Sequence, residues 1–346
     1  MLGAGYAFIS AYLKGEEAKV ITSDHVGNMS RTSGVQDVLD VIRDTDVGNY
    51  LDGVSVQNFD ELDEQLWAYF GECLRRLEWF KNLPSDIRNM LNAYMIKYDI
   101  LNIKAVLQGL STSKKPRQIP VGVIHNQGLL DELFSAQDVE SIAELLSSCR
   151  LGNYAAVLEG YSTEDSVKSR LLVEAGLDEV YYRNLQGITG RMKDGTTLSR
   201  VFSIIADMVN LQIILRSVIG ETGSEATGYT VGGGYLITEQ VAKELMALKL
   251  TDIPDRLDNA EYRSIAEEII SNYDKSKSLA VVEEIIDKNK FRLLREILAP
   301  RVLSPLVAVW YLVIKEIEVR NLRLILKTTF DSISVEEIKD YLVLSS

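Results

Sequence analysis

Asp99-Ile100-Leu101-Asn102-Ile103-Lys104-Ala105-Val106-Leu107 sets an acid three residues before an asparagine, with apolar side chains at Ile100, Ile103, Val106 and Leu107. Offsets of three and four place those apolar groups on one face of a helix, with the acid and the amide one turn apart on a neighbouring face. The pattern returns twice, as Asp207-Met-Val-Asn210-Leu-Gln-Ile-Ile-Leu215 and as Glu318-Val-Arg-Asn321-Leu-Arg-Leu-Ile-Leu326. The three asparagines lie 108 and then 111 residues apart, and a long polar residue follows each by two positions: Lys104, Gln212 and Arg323. Self-similarity at a fixed period means that one supersecondary unit has been used several times.

A second marker precedes the first in each copy. Val38, Ile42 and Tyr50 are echoed by Ile142, Leu146 and Tyr154, and Gly48-Asn49-Tyr50 by Gly152-Asn153-Tyr154. The third copy keeps Leu250 and Tyr262 but sets Pro254 where the middle apolar residue belongs, which blurs the helix boundary there. The spacing from tyrosine to asparagine is 52, 56 and 59 residues in the three copies. Any two amphipathic helices can be matched by choice; three copies carrying two markers in the same order are harder to explain that way. The asparagine is expected to make an interhelical or helix-to-backbone hydrogen bond that fixes register, and the acid to be its partner or a solvated charge.

Helical spacing also runs through residues 58–80, 86–108, 136–149, 163–173, 198–219, 238–247, 262–272, 279–287 and 304–327, while period-two alternation is nowhere sustained. The expected fold is all-α: three similar helical repeats, at 1–115, 116–225 and 226–346, around a pseudo-three-fold axis and closed into a ring or funnel. The last long helix is apolar nearly all round in its first half, from Leu306 to Ile314, and is expected at the centre of the packing.

Composition narrows the function classes. With 346 residues the chain exceeds one ordinary core, and 37 Lys+Arg against 50 Asp+Glu give a net charge of −13, a field that opposes nucleic acid. The short basic cluster Lys114, Lys115 and Arg117 reads as a solvated loop. Cys73 and Cys149 are far apart with no CxxC pair, which fits a reducing compartment. The richest apolar run, 302–314, is too short to span a bilayer, and residues 1–13 read as a buried helix, not a secretory signal.

His25 and His125 lie beside turn-forming residues and read as exposed loop histidines, with no second ligand at metal spacing. Thr230-Val231-Gly232-Gly233-Gly234-Tyr235 lacks both the P-loop and the Rossmann pattern and reads as a flexible connection between packed units. No catalytic, cofactor-binding or metal-ligating residue is assigned, no cofactor is expected, and partner-binding residues are left unassigned. A carboxylate-pair enzyme stays open as an alternative, because sequence does not show which acids face each other.

Four ordered segments resemble a known family: Gly5-Tyr6-Ala7-Phe8-Ile9-Ser10-Ala11, Val38-Leu39-Asp40-Val41-Ile42-Arg43-Asp44-Thr45-Asp46, Tyr98-Asp99-Ile100-Leu101-Asn102-Ile103-Lys104 with Gly109, and Lys315-Glu316-Ile317-Glu318-Val319-Arg320-Asn321-Leu322. They are similar to the C subunit of the archaeal and bacterial A/V-type rotary ATPases, termed the d subunit in the vacuolar enzyme. Tyr12-Leu13-Lys14-Gly15 departs from the arginine-rich continuation usual in that family.

The resemblance implies a non-catalytic rotor part of the central stalk, a three-lobed helical funnel peripheral to the cytoplasmic face of the membrane. Its implied partners are the central axle subunits and the proteolipid ring, with no nucleic acid and no small-molecule substrate. It would act as a socket that passes torque for ion transport coupled to ATP. A helical-repeat adaptor outside any rotary ATPase is the alternative, with an enzyme of unknown class behind it.

Overall fold

A computed structural model describes residues 2–54, 58–80, 83–111, 116–162, 166–221 and 228–344. Among the described residues the regular structure is helical throughout, with no strand, as the spacing requires. In chain order the first helices are α1 (Leu2–Glu17), α2 (Ser23–Met29), α3 (Val35–Val41), α4 (Asp46–Leu51), α5 (Phe59–Glu78) and α6 (Ser85–Ser111). The middle of the chain forms α7 (Val123–Asn126), α8 (Leu130–Ser135), α9 (Val139–Ser148), α10 (Gly152–Leu158), α11 (Ser166–Thr189) and α12 (Gly195–Ile219). Then follow α13 (Glu239–Met246), α14 (Ile253–Arg256), α15 (Ala260–Ser276), α16 (Ala280–Leu298), α17 (Leu306–Phe330) and α18 (Val335–Ile338).

Local chemistry sets many of the starts. Asn58 accepts a hydrogen bond from the Glu61 N–H and opens α5, Asp138 does so for Ser141 at α9, Thr238 for Val241 at α13, and Asn259 for Tyr262 at α15. Each satisfies a donor that the first turn leaves without an intrahelical partner. Of the helix expected over 163–173, residues 163–165 lie outside the described set, and α11 runs on past it from Ser166 to Thr189. Its second half is polar on more than one face and hides the 3.6 period, but Arg170–Glu174 and Arg183–Glu179 are paired one turn apart along it. Pro254 stands in the first turn of the short α14, where its missing N–H has no bond to lose.

The described chain packs as two compact units. The first comprises Met1–Leu91, Ile119–Val121 and Arg295–Ser346; the second comprises Asn92–Gln118 and Gly122–Leu294. In the first, α17 packs against α1, α3 and α5, and every residue from Leu306 to Lys315 is buried. That agrees with an apolar surface running all round the helix. The N-terminal stretch differs from expectation: α1 buries Tyr6, Ile9 and Leu13 along one face only, while Phe8 on another face is 63% exposed. Val302 and Leu303 are exposed as well, since the helix starts only after Pro305.

In the second unit α12 packs on α11 and α13. By length and composition it is α12, and not the 302–314 run, that could cross a membrane. Its Asp207 and Asn210 are fully buried and hydrogen-bonded within their own unit, so α12 is a core helix. The third-copy segment around Leu250 is a single 3₁₀ turn, Leu250–Asp252, leading into α14.

The two Gly-Asn-Tyr markers differ in what the glycine does. A Cβ on Gly48 would collide with the Ile42 carbonyl at the end of α3, whereas one on Gly152 meets nothing within 4 Å. Gly48→Ala should therefore cost about 1–3 kcal/mol, and Gly152→Ala should be neutral or gain about 0.5–1 kcal/mol. Urea unfolding of the two variants checks this, and equal effects would show that α3 and α4 are not packed as described.

Candidate functional site

The three acids do the same work in their own surroundings. On α6, Asp99 is fully buried and its carboxylate accepts from the Val123 N–H at 2.7 Å and the Ile124 N–H at 3.0 Å, at the entry to α7. On α12, Asp207 is equally buried and accepts from Leu236 N–H at 3.0 Å and Ile237 N–H at 2.8 Å, just before the cap of α13. It also accepts from the Tyr262 hydroxyl at 2.9 Å. On α17, Glu318 accepts from the Ile21 N–H at 3.0 Å, one residue before the Thr22 cap of α2. The acid is thus neither solvated nor the asparagine's partner, which corrects the expectation from sequence. It binds the backbone that leads into a short helix.

Asn210 and Asn321 make the helix-to-backbone bond that their spacing leads one to expect. Asn210 donates to the Val231 carbonyl at 2.8 Å and accepts from the Val231 N–H at 2.7 Å; Asn321 donates to the Val343 carbonyl at 2.6 Å and accepts from its N–H at 3.1 Å. Each amide thus donates to the carbonyl and accepts from the N–H of one and the same backbone residue, and Asn210 uses its second N–H on the Ile237 carbonyl at 3.1 Å. Asn102 is fully buried on α6.

These contacts overturn the reading of residues 230–235 as a flexible connection. Val231 is buried and held by Asn210, and the Gly233 carbonyl accepts from Gln186 Nε2 at 2.7 Å. Gly234 brings its backbone against the Asp207 carboxylate, where a Cβ would not fit. Gly122 stands in the same relation to Asp99 and has φ +125°, a conformation closed to most side chains. The glycines let the chain approach a buried acid.

Sequence reasoning missed a buried ionic cluster in the first unit. Lys315, which ends the apolar run of α17, does not reach water. Its Nζ donates to the Tyr69 hydroxyl at 2.6 Å and to Glu318 Oε2 at 3.0 Å, and lies 3.6 Å from Asp46 Oδ2. Arg76 pairs with Asp46 Oδ1 at 2.9 Å. The Tyr69 oxygen is 3.1 Å from both carboxylates, with one proton to give to either. Lys315 and Arg76 balance Asp46 and Glu318, and at the rim Glu72 lies 3.6 Å from Arg76 and pairs with Arg75 at 3.0 Å.

The electrostatics follow from that balance. Burial pushes the Asp46 pKa up, but Arg76 and Lys315 outweigh it and hold the group below its ordinary value. Burial pulls Lys315 down, yet the charge of Glu318 raises it above the ordinary lysine value. Burial drives the Tyr69 hydroxyl well above its usual value and the Cys73 thiol to about 11, so neither is a nucleophile near neutrality. The only sequence signal for the cluster was the i, i+3 spacing of Lys315 and Glu318 at the end of an apolar run.

His25 is not an exposed loop residue. It is half-buried in the first turn of α2, where Thr22 and His25 cap each other's backbone N–H groups, and its Nε2 lies 3.1 Å from Asp44. His125 is exposed in α7. Arg117 is exposed too, while Lys114 and Lys115 lie outside the described residues. Among the described residues no three His, Cys, Asp or Glu side chains gather as a metal site.

Among the described residues the protein is all-helical, with recurrent acids and amides that hold backbone segments. Residues 9–341 match the family described as ATP synthase (C/AC39) subunit, and the chain belongs to that family. It is similar to the A-type ATP synthase C subunit of Methanocaldococcus jannaschii, 24% identical over 98% of this chain and 86% of the relative. The corresponding proteins of Methanothermobacter thermautotrophicus and Thermococcus kodakarensis are each 23% identical, over 93% and 97% of this chain and 83% and 90% of their own lengths.

Two outcomes follow from these environments. Lys315→Met leaves Asp46 and Glu318 buried against Arg76 alone and should cost about 3–5 kcal/mol, whereas adding Glu318→Gln should restore a large part of that; urea midpoints of the single and double variants decide it. Burial raises the Asp99 pKa to about 7 against the two N–H donors that lower it. Between about pH 4, where an unfolded Asp loses its proton, and pH 7 the folded chain keeps a proton that the unfolded chain has released. Its stability therefore falls as pH rises through that window. Asp99→Asn should show a smaller change in unfolding midpoint between pH 5 and pH 8 than the unaltered chain, and an equal change would mean that Asp99 does not titrate there.

Proposed function

We propose that this chain is a non-catalytic central-stalk rotor subunit of an A/V-type ATPase or ATP synthase, a socket that couples the central axle to the proteolipid ring and transmits torque. It is peripheral to the cytoplasmic face of the membrane and docks on its partners without a span of its own. Membership of the ATP synthase (C/AC39) subunit family supports the machine. The order of the three acid contacts supports the socket. Asp99 grips the entry to the second repeat at Val123–Ile124, Asp207 the entry to the third at Leu236–Ile237, and Glu318 the entry to the first at Ile21.

A chain in which each repeat holds the start of the next, and the last holds the start of the first, is cyclic in its connections. That favours a closed three-fold funnel over an open solenoid, with repeats at 1–115, 116–225 and 226–346. The second boundary falls in residues outside the described set. Interior-density packing in each repeat gives the stiffness that torque transfer needs. The acidic surface suits basic faces on the ring or axle and makes docking sensitive to salt.

The test is recovery of the tagged chain from membranes of its own cells. Axle subunits and the proteolipid ring should co-purify, with retention falling as ionic strength rises, while the isolated chain should hydrolyse no ATP. Capture of neither partner, or robust hydrolysis by the pure chain, would overturn the assignment.

A further inference from the structure

One cleft in the second unit runs against the electrostatics of the whole chain. It has a volume of about 460 Å³ and opens between residues 150–154, one face of α11, and the part of α6 that carries Ala93 and Ile96. Arg150, Arg183 and Arg191 line it and no acidic residue does, in a chain of net charge −13. Arg183 has a surface partner one turn away in Glu179, a pairing that water screens heavily. Arg150 and Arg191 are exposed and have no ion-pair partner among the described residues.

Arg150 follows the cap of α9 with φ +62°, the left-handed position that glycine usually fills after a helix and that Glu221, Lys277 and Ser332 also take in this chain. No described contact within the fold uses its guanidinium to offset that strain. Beside the arginines the lining includes the part-exposed apolar Ile96 and Ile188 and the buried Leu151, with the polar Asn153 and Asn184, and Asn153 is exposed there. Guanidinium groups recognise planar oxyanions in a bidentate fashion, and the apolar lining calls for side chains that can cover it. A free phosphate would satisfy the first demand, leave the second unmet and fill little of the volume.

We infer that this cleft receives a short acidic, amphipathic peptide segment of a protein partner. Its carboxylates pair with Arg150, Arg183 and Arg191, and its apolar side chains cover Ile96 and Ile188. The inference does not rest on the rotor reading, because it concerns the isolated chain and a peptide.

The experiment is fluorescence anisotropy of the full chain with a short labelled peptide of Leu-Glu-Glu-Leu repeats, alongside the same peptide with Gln for Glu, and tripolyphosphate as competitor. The Glu peptide should bind at low salt, weaken steeply as salt rises, and outbind the Gln peptide by about tenfold or more. The triple variant Arg150→Gly, Arg183→Gln, Arg191→Gln should lose about tenfold; these sites are exposed, and glycine suits the backbone at position 150. The same charge change off the cleft, Lys243→Gln, Lys249→Gln, Arg256→Gln, should leave binding intact. Equal loss in both triple variants, no loss in the first, or tight binding of tripolyphosphate with none of the peptide would overturn the inference.

Discussion

A carboxylate removed from water must take its hydrogen bonds from whatever the fold brings to it, and the cost of failing is several kcal/mol. Asp99, Asp207 and Glu318 meet that demand with backbone N–H groups at the entries to short helices. The requirement works in both directions. The helix entry has N–H groups that the helix itself does not satisfy, and the buried acid has lone pairs that nothing apolar can. Each therefore fixes the other, and the remaining packing is arranged around that fixed point. Gly122 and Gly234 are small because a carboxylate occupies the space beside them.

Lys315 and Glu318 carry the same logic to a higher charge density. A buried cation and anion are costly singly and roughly balanced together, so such a cluster specifies geometry more than it adds stability. Tyr69 shares its hydroxyl between the two carboxylates, and Arg76 takes the far side of Asp46. The cluster ties α4, α5 and α17 to one arrangement, because moving any of the three would strand a charge.

Much of this is visible in the residues alone. The 3.6 period places most of the long helices, and Asn58 and Thr238 mark starts because their side chains act on the turn that follows. The acid and asparagine recur at the same spacing on α6, α12 and α17. What periodicity does not carry is the partner of a polar side chain. Whether Asp99 meets water, Asn102 or a distant backbone depends on chain many residues away, and whether Lys315 snorkels out or pairs inside depends on Asp46 and Tyr69. The glycine stretch misleads for the same reason: glycine frees the backbone, yet it also permits the close approach through which Asn210 and Asp207 hold that stretch in place. The arginine cleft is illegible in sequence because Arg150 follows α9, Arg183 stands on α11 and Arg191 lies in the turn after it, and no local spacing connects the first with the other two.

The first unit is assembled from both ends of the chain: α1 to α5 come from the beginning and α17 from the end. On a ribosome, the early segment emerges with Tyr6, Ile9, Leu66 and Phe70 in need of cover, and α17, which packs on it, is made only after the second unit. The second unit lies between them in sequence and can complete its own contacts first. Contacts of such wide separation are slow to form and leave apolar surface open meanwhile. The amino-terminal helices thus wait longest for their cover, which makes them natural clients for a chaperone during translation.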